Sequence, residues 1–202
     1  MPKFNEIKSL SKKVFENSRT NPADFKELLN ELLTLTVAAD GHKLNLSRKP
    51  KGDLGLIANR IADKPLLLNN GRFLKFLMKY TCGKGTPLTI NYSCFQYQCD
   101  EDRYSKRFIF RYDYNIAPED ELHPVAHLQI NGELSERNIV NKELEDIRFP
   151  IVRPSVESLL LLLIDGFGLK PNDKTGDWRK ILDYSESAFR EYQAKKLMYS
   201  KP

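Results

Sequence analysis

The stretch KRFIFRYDYNIAPEDELHPVAHLQING, residues 106–132, decides how the rest of this chain is read. Phe108, Phe110, Tyr112 and Tyr114 alternate with Arg107, Ile109, Arg111 and Asp113, which is the two-residue period of a strand with one aromatic face. After a short acidic connection through Pro118, Ala126, Leu128 and Ile130 alternate with His127 and Gln129, and Asn131-Gly132 closes the run as a turn. Two such runs joined by a short link predict an antiparallel pair.

Upstream, Gly83-Lys84-Gly85-Thr86-Pro87 lacks the spacing of a phosphate loop and precedes a strand, so it reads as a turn. In the strand that follows, Leu88, Ile90, Tyr92 and Cys94 are expected on one face, and Thr89, Asn91 and Ser93 on the other. Downstream, 133–145 is charged and reads as a loop or short helix, and 146–153 reads as extended because Pro150 and Pro154 disfavour helix before them. Ser155 then caps an apolar helix ending at Gly166 or Gly168, and a last helix starts near Thr175 or Asp177 and runs to about Tyr199.

The first forty residues read as two helices. Ile7, Leu10, Val14 and Phe15 recur at helical spacing. Asn21 caps a second helix with Pro22 at its first position, and Phe25, Leu28, Leu29, Leu32 and Leu33 carry its buried stripe towards a stop at Gly41. Residues 44–53 are polar and basic and predict a loop. A short helix capped by Asp53 is expected through Asp63, and a further helix capped by Asn70 on the spacing of Phe73, Phe76, Leu77 and Tyr80, with a strand as its alternative. The predicted fold is α+β, an antiparallel sheet of three to five strands packed on C-terminal helices. A helical pair is expected at 1–43 and an α+β domain at 54–202.

A composition of 41% hydrophobic and 29% charged residues excludes a disordered chain. The N-terminus MPKFNEIKSL does not read as a signal peptide, and the longest apolar run is far shorter than the roughly 20 residues that span a bilayer, so a cytoplasmic protein without a membrane partner is expected. Cys82, Cys94 and Cys99 are an odd number without a CxxC pair, which predicts reduced thiols and no zinc knuckle. The formal charge of +5 suits an anionic partner, although its local clusters, 47–51 and Lys195-Lys196, read as a solvated loop and a helix end. His42 reads as an exposed turn residue.

Parity selects the candidate site. In an antiparallel meander His127 and Gln129 share the polar face with Arg107, Arg111 and Asp113, and His123, four residues before His127, has matching parity. Two histidines with arginines suit metal-free phosphodiester cleavage, one imidazole acting as base, the other as acid, with guanidinium groups on the phosphate. Arg148 and Arg153 are placed to reach the same face. The plainer alternative is a wetted sheet face on which Arg111 and Asp113 form an ordinary pair. Neither a metal nor a cofactor is expected: His123, His127 and Asp113 lack a ligand spacing, and no Rossmann motif is present.

The runs FRYDYN, HPVAHLQING, IRFP and PSVESLLLLLIDGFG resemble those of the TumE-like toxins of prokaryotic toxin–antitoxin operons over residues 107–168. The resemblance implies a small cytoplasmic ribonuclease-like growth inhibitor, encoded beside a DNA-binding antitoxin, with weight on Arg111, Asp113, His123, His127, Arg148, Phe149 and Pro150; the function expected is a metal-independent ribonuclease-like toxin or phage-defence effector acting on RNA. A different class of function competes with it: a non-enzymatic interaction module, a subunit of a defence or mobile-element complex, holding protein or nucleic acid.

Overall fold

The computed structural model describes residues 2–15, 21–48, 54–59, 64–81, 88–102, 104–117, 124–131 and 149–199. Helices α1 (Pro2–Phe15) and α2 (Pro22–Thr36) precede strands β1 (Leu44–Arg48), β2 (Leu54–Asn59), β3 (Leu66–Leu67), β4 (Phe73–Thr81), β5 (Thr89–Gln98), β6 (Phe108–Asn115), β7 (Ala126–Ile130) and β8 (Phe149–Pro150). Helix α3 (Val156–Leu161) passes directly into a π-turn (Leu162–Gly166), and α4 (Trp178–Tyr199) ends the described chain. The strands form one antiparallel sheet in the order β1-β2-β4-β5-β6-β7-β8, with β3 beside the first residues of β4.

The α+β architecture, the helical pair and the β5-β6-β7 meander stand as predicted. The sheet is wider because three segments upstream are strands. Residues 44–48 form β1 rather than a loop, 54–59 form β2 rather than a helix, and 73–81 form β4 rather than a helix. In β4 the buried set is Leu74, Phe76, Met78 and Tyr80, an exact two-residue period. Phe73 and Leu77 are apolar residues on the opposite face, and they supplied the false helical spacing. Gly55 marks β2 as a strand under a close neighbour: a Cβ there would lie 2.1 Å from the Tyr80 ring carbon that bears the hydroxyl.

Local chemistry sets the helix ends. Asn21 Oδ1 accepts from the Ala23 N–H at 3.0 Å with Pro22 at the first helical position, and Ser155 Oγ accepts from Ser158 N at 2.9 Å. α2 stops at Thr36, before Gly41, because the chain then leaves to make an isolated bridge between Ala38 and Leu68. α4 starts at Trp178, directly after Asp177, the later of the two expected starts.

The helical pair packs into the same core as the sheet. Ile7 and Val14 of α1, and Leu28, Leu29, Leu32 and Leu33 of α2, share one apolar cluster with Phe76, Phe95, Tyr97 and Phe110 of the sheet, Leu159 and Leu160 of α3, and Ile181 and Leu182 of α4. Phe76 and Phe95 sit 4.8 Å apart between ring centres at its middle. Asn30 of α2 ties the pair to β1, accepting from Leu44 N at 2.7 Å and donating to Leu44 O at 3.3 Å. Leu77, Tyr92 and Cys94, on the other face of the sheet, are outside that cluster. The helices therefore cover one face, and the chemistry is gathered on the other.

Candidate functional site

Strand register builds the candidate site. Asp113 of β6 opposes His127 of β7 and Cys94 of β5, and Cys94 opposes Leu77 of β4. The neighbouring row is Lys75, Gln96, Arg111 and Gln129, and on the other side Lys79, Tyr92 and Asn115 line up. Facing residues lie on one side of a sheet, so Lys75, Lys79, Tyr92, Cys94, Gln96, Arg111, Asp113, His127 and Gln129 share the helix-free face.

Arg111, Asp113 and His127 come together as the parity argument predicted. Arg111 Nε donates to Asp113 Oδ2 at 2.5 Å, and His127 Nε2 is 3.7 Å from the same oxygen. Tyr92 Oη donates to Asp113 Oδ1 at 3.4 Å. His127 Nδ1 is 3.2 Å from the Pro124 carbonyl, which can only accept, so that nitrogen carries the proton. Asp113 and His127 are buried, 6% and 7% exposed, whereas a third of the Arg111 side chain reaches solvent.

The electrostatics follow from that burial. Desolvation opposes the charge on Arg111, but the adjoining Asp113 carboxylate outweighs it and raises the guanidinium pKa. Burial, with the Asp113 charge beside it, pushes the Cys94 thiol up to about 12, so it is no nucleophile near neutrality. Burial first, and then Cys94 and Asp113, raise the Tyr92 phenol as well.

The remaining predicted residues do not join this cluster. Arg107 is exposed and precedes β6, six positions from Asp113, which is about 20 Å along a strand. Arg153 is on the helix-covered side: its guanidinium sits 4.3 Å from the Tyr114 ring centre and 6.0 Å from that of Phe189, and burial lowers its pKa. It cannot share a phosphate with Arg111 across the sheet. His123 and Arg148 lie outside the described residues.

Two bulges correct the face assignment. Tyr80 opposes Ile90 while Lys79 opposes Tyr92, so Asn91 is an extra residue and the parity of β5 reverses there. Ser93 therefore opposes Tyr114 on the helix side, and Tyr92 and Cys94 take the polar face. At the other end Gln98 opposes Phe108 and Tyr97 opposes Phe110, which makes Ile109 the extra residue; Ile109, not Phe108, packs against the core.

Sequence reasoning missed Lys75, Lys79 and Tyr92. The signal was available, since Lys75 and Lys79 flank Leu77 at even spacing opposite the buried set of β4. Lys79 Nζ rests 5.0 Å from the Tyr92 ring centre, which pairs a cation with an aromatic face on this side of the sheet. Lys79 is exposed, and Lys75 and Tyr92 are half-buried. Among the described residues no group of three His, Cys, Asp or Glu is placed to hold a metal, and no helix is long and apolar enough to cross a membrane. Comparison with protein families, curated proteins and solved structures finds no match to this chain.

Proposed function

We propose that this chain is a non-enzymatic binding module that holds single-stranded nucleic acid, RNA in the first instance, on the helix-free face of its sheet. The observation that carries this reading is the set Lys75, Lys79, Tyr92 and Arg111 on one face, with Lys79 over the Tyr92 ring. Cations suit the phosphates and an aromatic ring suits a stacked base, a combination that tolerates sequence. Lys75 and Lys79 are four residues apart on β4, about 13 Å, a length of strand over which more than one phosphate can be engaged.

Fluorescence anisotropy with a labelled single-stranded RNA tests it. Neutralising about two phosphates, at Lys75 and Lys79, gives a salt slope near −1.4 on a log–log plot, and Lys79→Glu should reduce that slope by about 0.7 and weaken binding at least tenfold. No binding at low salt, or a slope indifferent to Lys79, overturns the proposal.

RNA cleavage by a toxin held in check by a protein antitoxin is the second reading, and the contact of His127 with Asp113 and Arg111 favours it. Binding is preferred because both ring nitrogens of His127 are directed at protein groups, Nδ1 at Pro124 O and Nε2 towards Asp113, rather than outward to a ribose hydroxyl. Growth arrest with RNA breakdown on induced expression, lost in His127→Ala, would reverse that preference.

A further inference from the structure

We infer that the cavity at the Phe73 end of β4 is a pocket for one nucleobase, and specifically for one bearing an exocyclic amine, of a strand lying along Lys75 and Lys79. This rests on the binding reading above. Phe73 opposes Gln98 and therefore points to the same face as Lys75, two residues on. Leu67 of β3 opposes Phe73. Together with Pro65, these side chains floor a cavity of about 520 Å³, within the size range of small-ligand sites. It continues the Lys75–Lys79 row at a distance of one side-chain repeat, about 7 Å.

Charge separates a base from a phosphate as the occupant. Asp40, His42, Lys43, Lys64 and Glu101 rim the cavity. Among the described residues of the rim, Lys64 Nζ and Glu101 are paired at 2.9 Å, and Lys43 and Asp40 carry opposite charges without pairing, so the formal sum is zero with His42 neutral. A dianionic phosphate gains little from such a rim. A flat neutral ring gains the apolar floor and the Phe73 face, and finds donors and acceptors at its edge. Among the described residues Asp40 forms no ion pair, so its carboxylate is available to accept from an amine. Cytosine presents an amine at the position where uracil presents a carbonyl, and a carboxylate accepts from the first and repels the second.

The test compares oligocytidine with oligouridine, about ten nucleotides long, by anisotropy on the intact protein. Oligocytidine should bind about tenfold more tightly. Asp40→Asn, on an exposed turn, should lower oligocytidine affinity to the level of oligouridine, and Phe73→Ala should weaken both. Equal affinities for the two oligomers, or a cytidine preference that survives Asp40→Asn, would overturn the pocket while leaving the Lys75–Lys79 strip in place. No binding of either oligomer would overturn the strip and the pocket together.

Discussion

Removing Arg111 should destabilise the fold and removing Asp113 should tighten RNA binding, a divergence that isolates what the pair does. Asp113 is 6% exposed, and its carboxylate takes a 2.5 Å hydrogen bond from Arg111, with Tyr92 Oη at 3.4 Å and His127 Nε2 at 3.7 Å. Arg111→Ala strands that carboxylate. Breaking a fully buried pair costs about 3–5 kcal/mol and an exposed one at most about 1 kcal/mol. With Arg111 one-third exposed, a loss of about 2–3 kcal/mol is expected. Asp113→Ala leaves a guanidinium that can reach water, so it should cost less, about 1–2 kcal/mol. The double variant should fall short of the sum by about 1–2 kcal/mol, read from urea unfolding midpoints at constant slope. In the same Asp113→Ala protein Arg111 is no longer neutralised, so RNA affinity and the steepness of its salt dependence should both rise. Additive stabilities within about 0.5 kcal/mol would refute the pairing argument, and weaker RNA binding by Asp113→Ala would refute the placement of Arg111 on the binding face.

Two further perturbations probe the core and its buried acid. The Tyr80 hydroxyl is buried with no hydrogen-bond partner among the described residues, so Tyr80→Phe should be neutral or stabilise by up to about 1 kcal/mol, whereas Gly55→Ala drives a Cβ into that ring and should cost about 3 kcal/mol or more in thermal or urea unfolding. Burial raises the pKa of Glu157 above its ordinary 4.5, partly offset by a 2.6 Å hydrogen bond from Ser185 Oγ. The folded state then holds the proton more tightly than the unfolded one, so this group's stabilisation is complete below pH 4.5 and declines as pH rises towards the folded-state value. Glu157→Gln should flatten that decline while keeping an acceptor for Ser185; parallel stability–pH curves for the two proteins would refute it.

What sequence made legible depended on whether one periodicity stood alone. In β6 and β7 the aromatic and polar residues alternate without a competing pattern, and the observed register keeps Asp113 beside His127 and Arg111 beside Gln129. The caps at Asn21 and Ser155 were equally legible, because a side-chain acceptor at a helix start acts over two or three residues and needs no tertiary context. β4 was misread because its polar face carries Phe73 and Leu77, apolar residues whose reason lies in the cavity and the sheet rather than in the strand. β1 and β2 are short and partly polar, and they are strands because β4 offers an edge to pair with, which is a non-local cause.

The site was legible only where parity survives. One inserted residue at Asn91 exchanges Ser93 for Tyr92 and Cys94 on the polar face, and hydrophobic patterning carries no mark of a bulge at that position. Arg153 shows the complementary limit: two cationic residues near in sequence to the same sheet can lie on opposite sides of it, and a ring such as Tyr114 accepts the guanidinium as readily as a phosphate would. These two displacements move the centre of positive charge from the expected β6–β8 edge to β4 and β5, where Lys75 and Lys79 stand beside Tyr92. Asp113 then becomes the deciding residue, since it neutralises Arg111, the one arginine among the described residues of β6 to β8 on that face, and its removal should join the two halves into a single cationic surface.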